Sequence, residues 1–187
     1  LIIQLKKNLT KNLITIREFI DQSIGEWRSI RSTQTIAFQE FENTTSNISI
    51  SYLNVDNIKV EQTLKKFNIS KTPAFAIEIS WVAFSDWELE DKVNTNETVL
   101  IFIPKDNKSG IILRNKGYAE LVHSSSEYFM DNRENLNIIT KYNSTISEER
   151  IWFLTKNIRS RYSMIQSKHH NAIMQTSHSS EIRQIFT

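Results

Sequence analysis

The residues of this chain best suited to chemistry lie in the stretch ERIWFLTKNIRSRYS, residues 149–163. Arg159 and Arg161 are two positions apart in a strand-forming run, so alternation places both guanidinium groups on one face of one strand. Two planar forks side by side suit a ligand bearing carboxylates, each charge-assisted hydrogen bond contributing about 1.5–3 kcal/mol. Glu149 is followed by Ile151, Trp152 and Phe153, which sets a carboxyl among bulky apolar groups. There it can accept N–H bonds or, if burial raises its pKa, donate a proton. Parity extends the picture: Trp27, Ser29 and Arg31 share a face in EWRSIR, as do Trp81, Ala83, Ser85 and Trp87 in WVAFSDW. Two indoles separated by small residues form a flat apolar wall in front of which a planar, conjugated molecule fits. The plainer reading gives the same arginines a solvated face and the same tryptophans an ordinary core. From spacing alone both readings stand.

Other chemistries find no anchor. The chain has no cysteine, which excludes disulfides, a thiolate nucleophile and cysteine-ligated metal centres, and favours a reducing compartment. His169 and His170 are adjacent, so they cannot turn to one metal on a regular element, and His178 does not complete a set; no metal is expected. No G-x-S-x-G elbow is present. A formal charge of +2 from interspersed residues, without a basic block, argues against nucleic acid as a partner. The opening LIIQLKKNLTKN is too short a run for a membrane span and lacks a cleavage site, so a soluble, non-secreted protein is expected.

Positioning these residues requires a scaffold, and 187 residues suffice for one domain, 1–187, with 1–12 as a helical or flexible extension. Leu13, Ile16, Phe19, Ile20, Ile24 and Trp27 recur at three- and four-residue spacing and predict an amphipathic helix closing near Gly25. A short second helix is predicted over 57–67. Most of the remainder alternates or is rich in β-branched and aromatic residues, giving about ten short strands joined by tight turns. So many strands with so little helix predict a mainly β, antiparallel meander that closes into a lipocalin-like barrel able to hold one small ligand. The first helix would plug or cap one end.

Five stretches in order, GEWRSIRSTQ, ISWVAFSDWE, GIILRNKGYAE, SEERIWFLTKNIRSRYS and SSEIR, resemble the S-type phycobiliprotein lyases of the CpcS/CpeS chromophore lyase family. The resemblance implies a calycin-type barrel that binds an open-chain tetrapyrrole and promotes its thioether attachment to a cysteine of a phycobiliprotein subunit. It places the family's acidic bilin contact on Glu149, its two pocket arginines on Arg159 and Arg161, an arginine of the first strand on Arg31, its pocket tryptophan on Trp87, and a glutamate near the C-terminus on Glu181. It implies no permanently bound cofactor; a phycobilin, phycoerythrobilin or phycocyanobilin, is the substrate. Its partners would be an apo-phycobiliprotein, phycoerythrin foremost, and a bilin reductase as donor, in cyanobacterial or phage-infected cytoplasm or the plastid stroma. A homodimer is an open alternative. On this reading, loss of Arg159 and Arg161 would weaken bilin binding far more than folding. The chain departs from the family pattern at Ala83, Ser85 and Glu88, where Gly, Met and Asp are usual, and in KHHNAIMQTSH, where an apolar run is expected. A non-enzymatic carrier of a hydrophobic carboxylate is the alternative.

Overall fold

The computed structural model describes residues 14–70, 73–85, 94–116 and 124–185. Its ten strands are β1 (Gly25–Thr35), β2 (Glu40–Leu53), β3 (Phe75–Ser85), β4 (Asn94–Pro104), β5 (Ser109–Arg114), β6 (Ser124–Met130), β7 (Leu136–Lys141), β8 (Thr145–Thr155), β9 (Ile158–Ser167) and β10 (Ile173–Arg183). Each pairs antiparallel with its neighbours in sequence, and β10 returns to β1, with Trp27 opposite Arg183 and Arg31 opposite Ser179. Closure leaves no edge for a further strand to join. This is the mainly β, lipocalin-like barrel expected from the alternating pattern. The strand ends differ: β10 begins at Ile173, so half of KHHNAIMQTSH belongs to the sheet.

The first helix closes near Gly25 as expected, and the structure separates the two patterns that share Trp27. Helix α1 is Ile16–Ser23, opened by a capping box in which Thr15 Oγ1 accepts from Glu18 N–H and Glu18 accepts from Thr15 N–H. It ends where Ile24 turns extended and Gly25 takes a φ of +128°, a region that favours glycine. Trp27 therefore lies on β1, not on the helix. The three-and-four spacing runs on into the strand because both α1 and the inner face of β1 bury their apolar residues in the same core. The Trp27 Nε1–H donates to the Ser23 carbonyl at 2.9 Å, joining the two elements. Leu13 lies outside the described residues.

Helix α1 closes one end of the barrel. Phe19 meets Phe153 edge-on at 5.1 Å, Ile16 N–H donates to the Asn107 carbonyl, and Phe19 and Ile20 join Trp27, Ile77, Phe102 and Leu136 in the inner core. Helix α2 (Ile58–Lys66) begins at Asn57, whose side chain accepts from Lys59 N–H, close to the range read from the sequence. It lies on the outside, where Val60 packs with Ala76, Val99, Ile101 and Leu113. Strands β3 to β5 are thus apolar on both faces, which explains the unbroken run VLIFIP in β4. The same arrangement sets the orientation of β5. Leu113 is held outward under α2 and Ile112 inward, so Arg114 must turn into the lumen.

Candidate functional site

Above the α1 plug the barrel encloses a cavity lined by α1 and by the inner faces of the strands. Its walls differ in character. On β2, β3 and β4 the lining is mainly apolar, with Ile48, Ile77, Ile79, Trp81, Ala83 and Leu100, and includes the hydroxyls of Ser46 and Thr98. Facing them, β1, β10, β9 and β8 contribute serines and charges: Ser29 and Arg31, Ser177, Ser179 and Glu181, Arg159, Arg161 and Ser163, and Glu149. The lumen is apolar on one side and ionic on the other.

The ionic side is a connected chain. Arg114 Nη2 donates to Glu149 Oε1 at 2.7 Å; Arg161 Nη1 lies 4.0 Å from Glu149 Oε2, and its Nε 3.8 Å from Glu181 Oε1; Arg159 Nε donates to Glu181 Oε2. Register explains the last pair, since Arg159 and Glu181 are directly opposite on β9 and β10. Arg114 and Glu149 belong to strands that do not touch, and their bond crosses the space between them. The Arg159 guanidinium also lies 4.4 Å above the Trp27 ring, a cation–π contact within a desolvated setting.

Burial and charge compete at each group. Burial pushes the Glu149 carboxyl up, but the nearby cations Arg114 and Arg161 outweigh it and leave the pKa below the ordinary glutamate value. At Glu181 burial likewise raises the pKa and is overcome by Arg161 and Arg159. Burial lowers Arg159 to about 10 against the pull of Glu181, so the group remains a cation at neutral pH. Both glutamates are therefore anions at neutral pH.

The structure brings Glu149, Arg159, Arg161, Arg31, Glu181 and Trp81 into one lumen. It also corrects two readings. Arg159 is not a free fork: only 2% exposed, it is tied to Glu181, 1% exposed, and serves the wall before it serves a ligand. Nor is the Glu149 pKa raised, so the carboxyl is set up to accept hydrogen bonds and not to supply a proton. Trp87 and Glu88 lie outside the described residues, as does the side chain of Ser85. His169 and His170 occupy the β9–β10 turn with rings 6.4 Å apart, while His178 rests on Trp152 outside the barrel. The residue missed from sequence is Arg114. Its signal was there, in the alternation of Ile112 with Arg114, but nothing local says that Glu149 stands across from it.

The family described as CpeS-like protein matches residues 15–184. Chromophore lyase CpcS/CpeS 3 of Trichodesmium erythraeum is 38% identical over 177 residues, covering 90% of this chain and 98% of that protein. Chromophore lyase CpcS/CpeS of Thermosynechococcus vestitus is 32% identical over 171 residues, 90% of this chain and 92% of that one. The solved S-type phycobiliprotein lyase CpeS of Guillardia theta, 30% identical, superposes with a TM-score of 0.81 over 93% of this chain and 95% of that one. Among further relatives, one carries phycocyanobilin in its name and another phycoerythrobilin.

Proposed function

Because this chain belongs to the CpeS-like family of chromophore lyases, we propose that its lumen binds a phycobilin and presents it for thioether attachment to a cysteine of a phycobiliprotein subunit. The observation that carries the reading is the division of one lumen into an apolar wall and an ionic wall. A linear tetrapyrrole has the same division, with a conjugated ring system and two propionates. Trp81, Ile77, Ile79 and Leu100 would cover the ring faces. Arg161, whose side chain is 27% exposed, and Arg31 would receive propionates, and Arg159 would hold Glu181 in place beside them. Glu149, an anion, would accept the pyrrole N–H bonds and stabilise positive charge on the nitrogens.

The attachment step needs a nucleophile that the chain does not possess, since it has no cysteine. The acceptor's thiolate sulfur adds to the ring A ethylidene carbon; the C–S bond forms as the C=C π bond opens, and the adjacent ring carbon gains a proton. That proton balances the one the thiol gave up, and nothing is oxidised or reduced. The barrel's contribution is positioning, which can supply several kcal/mol of a barrier, on the order of 7–11 in the best-oriented cases. The chromophore we propose is phycoerythrobilin, the acceptor a phycoerythrin subunit, the donor a bilin reductase and the setting cyanobacterial cytoplasm or plastid stroma.

The test is a two-stage mixing experiment with phycoerythrobilin, and with phycocyanobilin in parallel. Purified protein should shift and sharpen the free bilin's absorbance, and addition of apo-subunit should yield chromophore that stays on the subunit through denaturation in acidic urea. A complex that forms but releases all its bilin on denaturation would make the chain a carrier. Preference for phycocyanobilin in both stages would replace the proposed chromophore.

A further inference from the structure

Arg114 lies at the end of β5, on a strand that does not neighbour any of those carrying the other charges of the lumen. Its direction is fixed by packing: Leu113 is buried outside beneath α2, Ile112 is buried inside, and a slip of one residue would exchange the two faces. The strand end is also pinned. The Asn115 side chain accepts from Val99 N–H at 2.9 Å and from the Thr98 hydroxyl at 3.2 Å, holding β5 to β4 immediately after Arg114. From this mount Arg114 reaches Glu149 on β8, with β6 and β7 between them in the barrel wall.

The contact is dry. The side chains of Arg114 and Glu149 are 8% and 5% exposed, and Arg114 Nε has no hydrogen-bond partner among the described residues. The groups directly beside Glu149 in the sheet are Ile138 on β7 and Ser163 on β9, neither of which carries charge. The charged groups that face it are Arg114 from β5, at 2.7 Å, and Arg161 from β9, at 4.0 Å, with Glu181 of β10 beyond Arg161. Arg161 divides itself between two carboxylates and is partly open to the lumen. Arg114 contributes the short bond.

We propose that Arg114 is the positioning residue of this site, a clamp from a non-adjacent strand that fixes the Glu149 carboxylate at the lumen wall, facing the pyrrole nitrogens of a bound tetrapyrrole. The ligand in that statement rests on the function proposed above; the clamp itself does not. Arg114 acts through Glu149 and touches no reacting atom. Without it, the buried carboxylate keeps the more distant and shared Arg161, and its charged form loses the closest support.

The test uses the full chain with R114Q and R114K. The first readout needs no ligand: the Glu149 carboxyl is followed by carbon-13 NMR through a pH titration, its signal assigned by loss in E149Q. The parent should titrate below an ordinary glutamate, R114Q should raise the midpoint by about one pH unit or more, a tenfold change in proton affinity, and R114K should lie between them. The second readout is the absorbance of bound phycoerythrobilin from about pH 3 to about pH 8, where the R114Q spectrum should change at higher pH than the parent's. If R114Q does not fold, R114M, which fills the same space with an apolar stem, takes its place. An unmoved Glu149 midpoint, or a bound spectrum with unchanged pH dependence, would overturn the clamp. A parent that binds no bilin would refute the functional reading, while the Glu149 titration would still decide the role of Arg114.

Discussion

Arg161 stands between two buried glutamates, Nη1 at 4.0 Å from Glu149 and Nε at 3.8 Å from Glu181, and so joins the pair anchored by Arg114 to the pair anchored by Arg159. Its partners are nearly sealed, at 5% and 2% side-chain exposure, whereas Arg161 itself is 27% exposed. Of Arg114, Arg159 and Arg161 it is the one that can turn toward a ligand without stranding a buried charge, because each glutamate retains a closer cation.

R161A is therefore expected to reduce bilin affinity by about tenfold or more, the loss of one charge-assisted hydrogen bond or a bidentate pair. Its stability should change by about 1 kcal/mol or less, as for other partly solvated ion pairs. Spectroscopic bilin titration beside urea denaturation measures both. Unchanged affinity would remove Arg161 from the binding site.

Arg159 should behave in the opposite way. R159A leaves Glu181 buried without its nearest cation and is expected to cost about 3–5 kcal/mol of folding stability. Replacing both partners, as in R159M/E181L, should recover most of that loss, because neither charge is then left alone. Equal urea midpoints for R159A and the double variant would contradict the pairing.

The two lowered carboxyl pKa values set the acid response. Both groups bind a proton less readily folded than unfolded, so their stabilising effect is complete above the unfolded glutamate pKa, about 4.3, and is lost as pH falls through the lower folded values. Unfolding free energy should be level in these groups' contribution from about pH 7 to about pH 5 and fall below about pH 4. E181Q should flatten the acid slope. A variant as steep as the parent would show that other carboxylates govern it.

Gly25 joins α1 to β1 at a φ of +128°, and a Cβ there would lie 2.5 Å from Arg183 Nη1, the group that donates to the Ile24 carbonyl. G25A is expected to cost about 1–3 kcal/mol through backbone strain and displacement of that cap. Thermal unfolding followed by circular dichroism measures it. A parent-like melting temperature would mean that the plug tolerates a different entry into β1.

The residues of β8 and β9 show how far sequence reading reaches. Alternation correctly placed Arg159 and Arg161 on one face, and Trp27, Ser29 and Arg31 on another strand's inner face, because side-chain direction in a strand is a local property. Alternation does not tell which face is inside. The solvated reading of RSR was reasonable until closure of the barrel turned that face inward. The helical spacing that reached Trp27 misled for a related reason: periodicity reports which residues seek the core, not where one element gives way to the next.

From its sequence alone this chain determined ten strands, two helices and the alternation that sends particular arginines and tryptophans to common faces, since propensity and period act within a few residues. Tertiary structure alone decided that those faces enclose a lumen, that Arg159 is committed to Glu181, and that Arg114 meets Glu149. The physical reason is that the Arg114–Glu149 bond joins strands that are not neighbours in the sheet, and its length depends on the barrel's closure and width. No spacing along the chain carries that information.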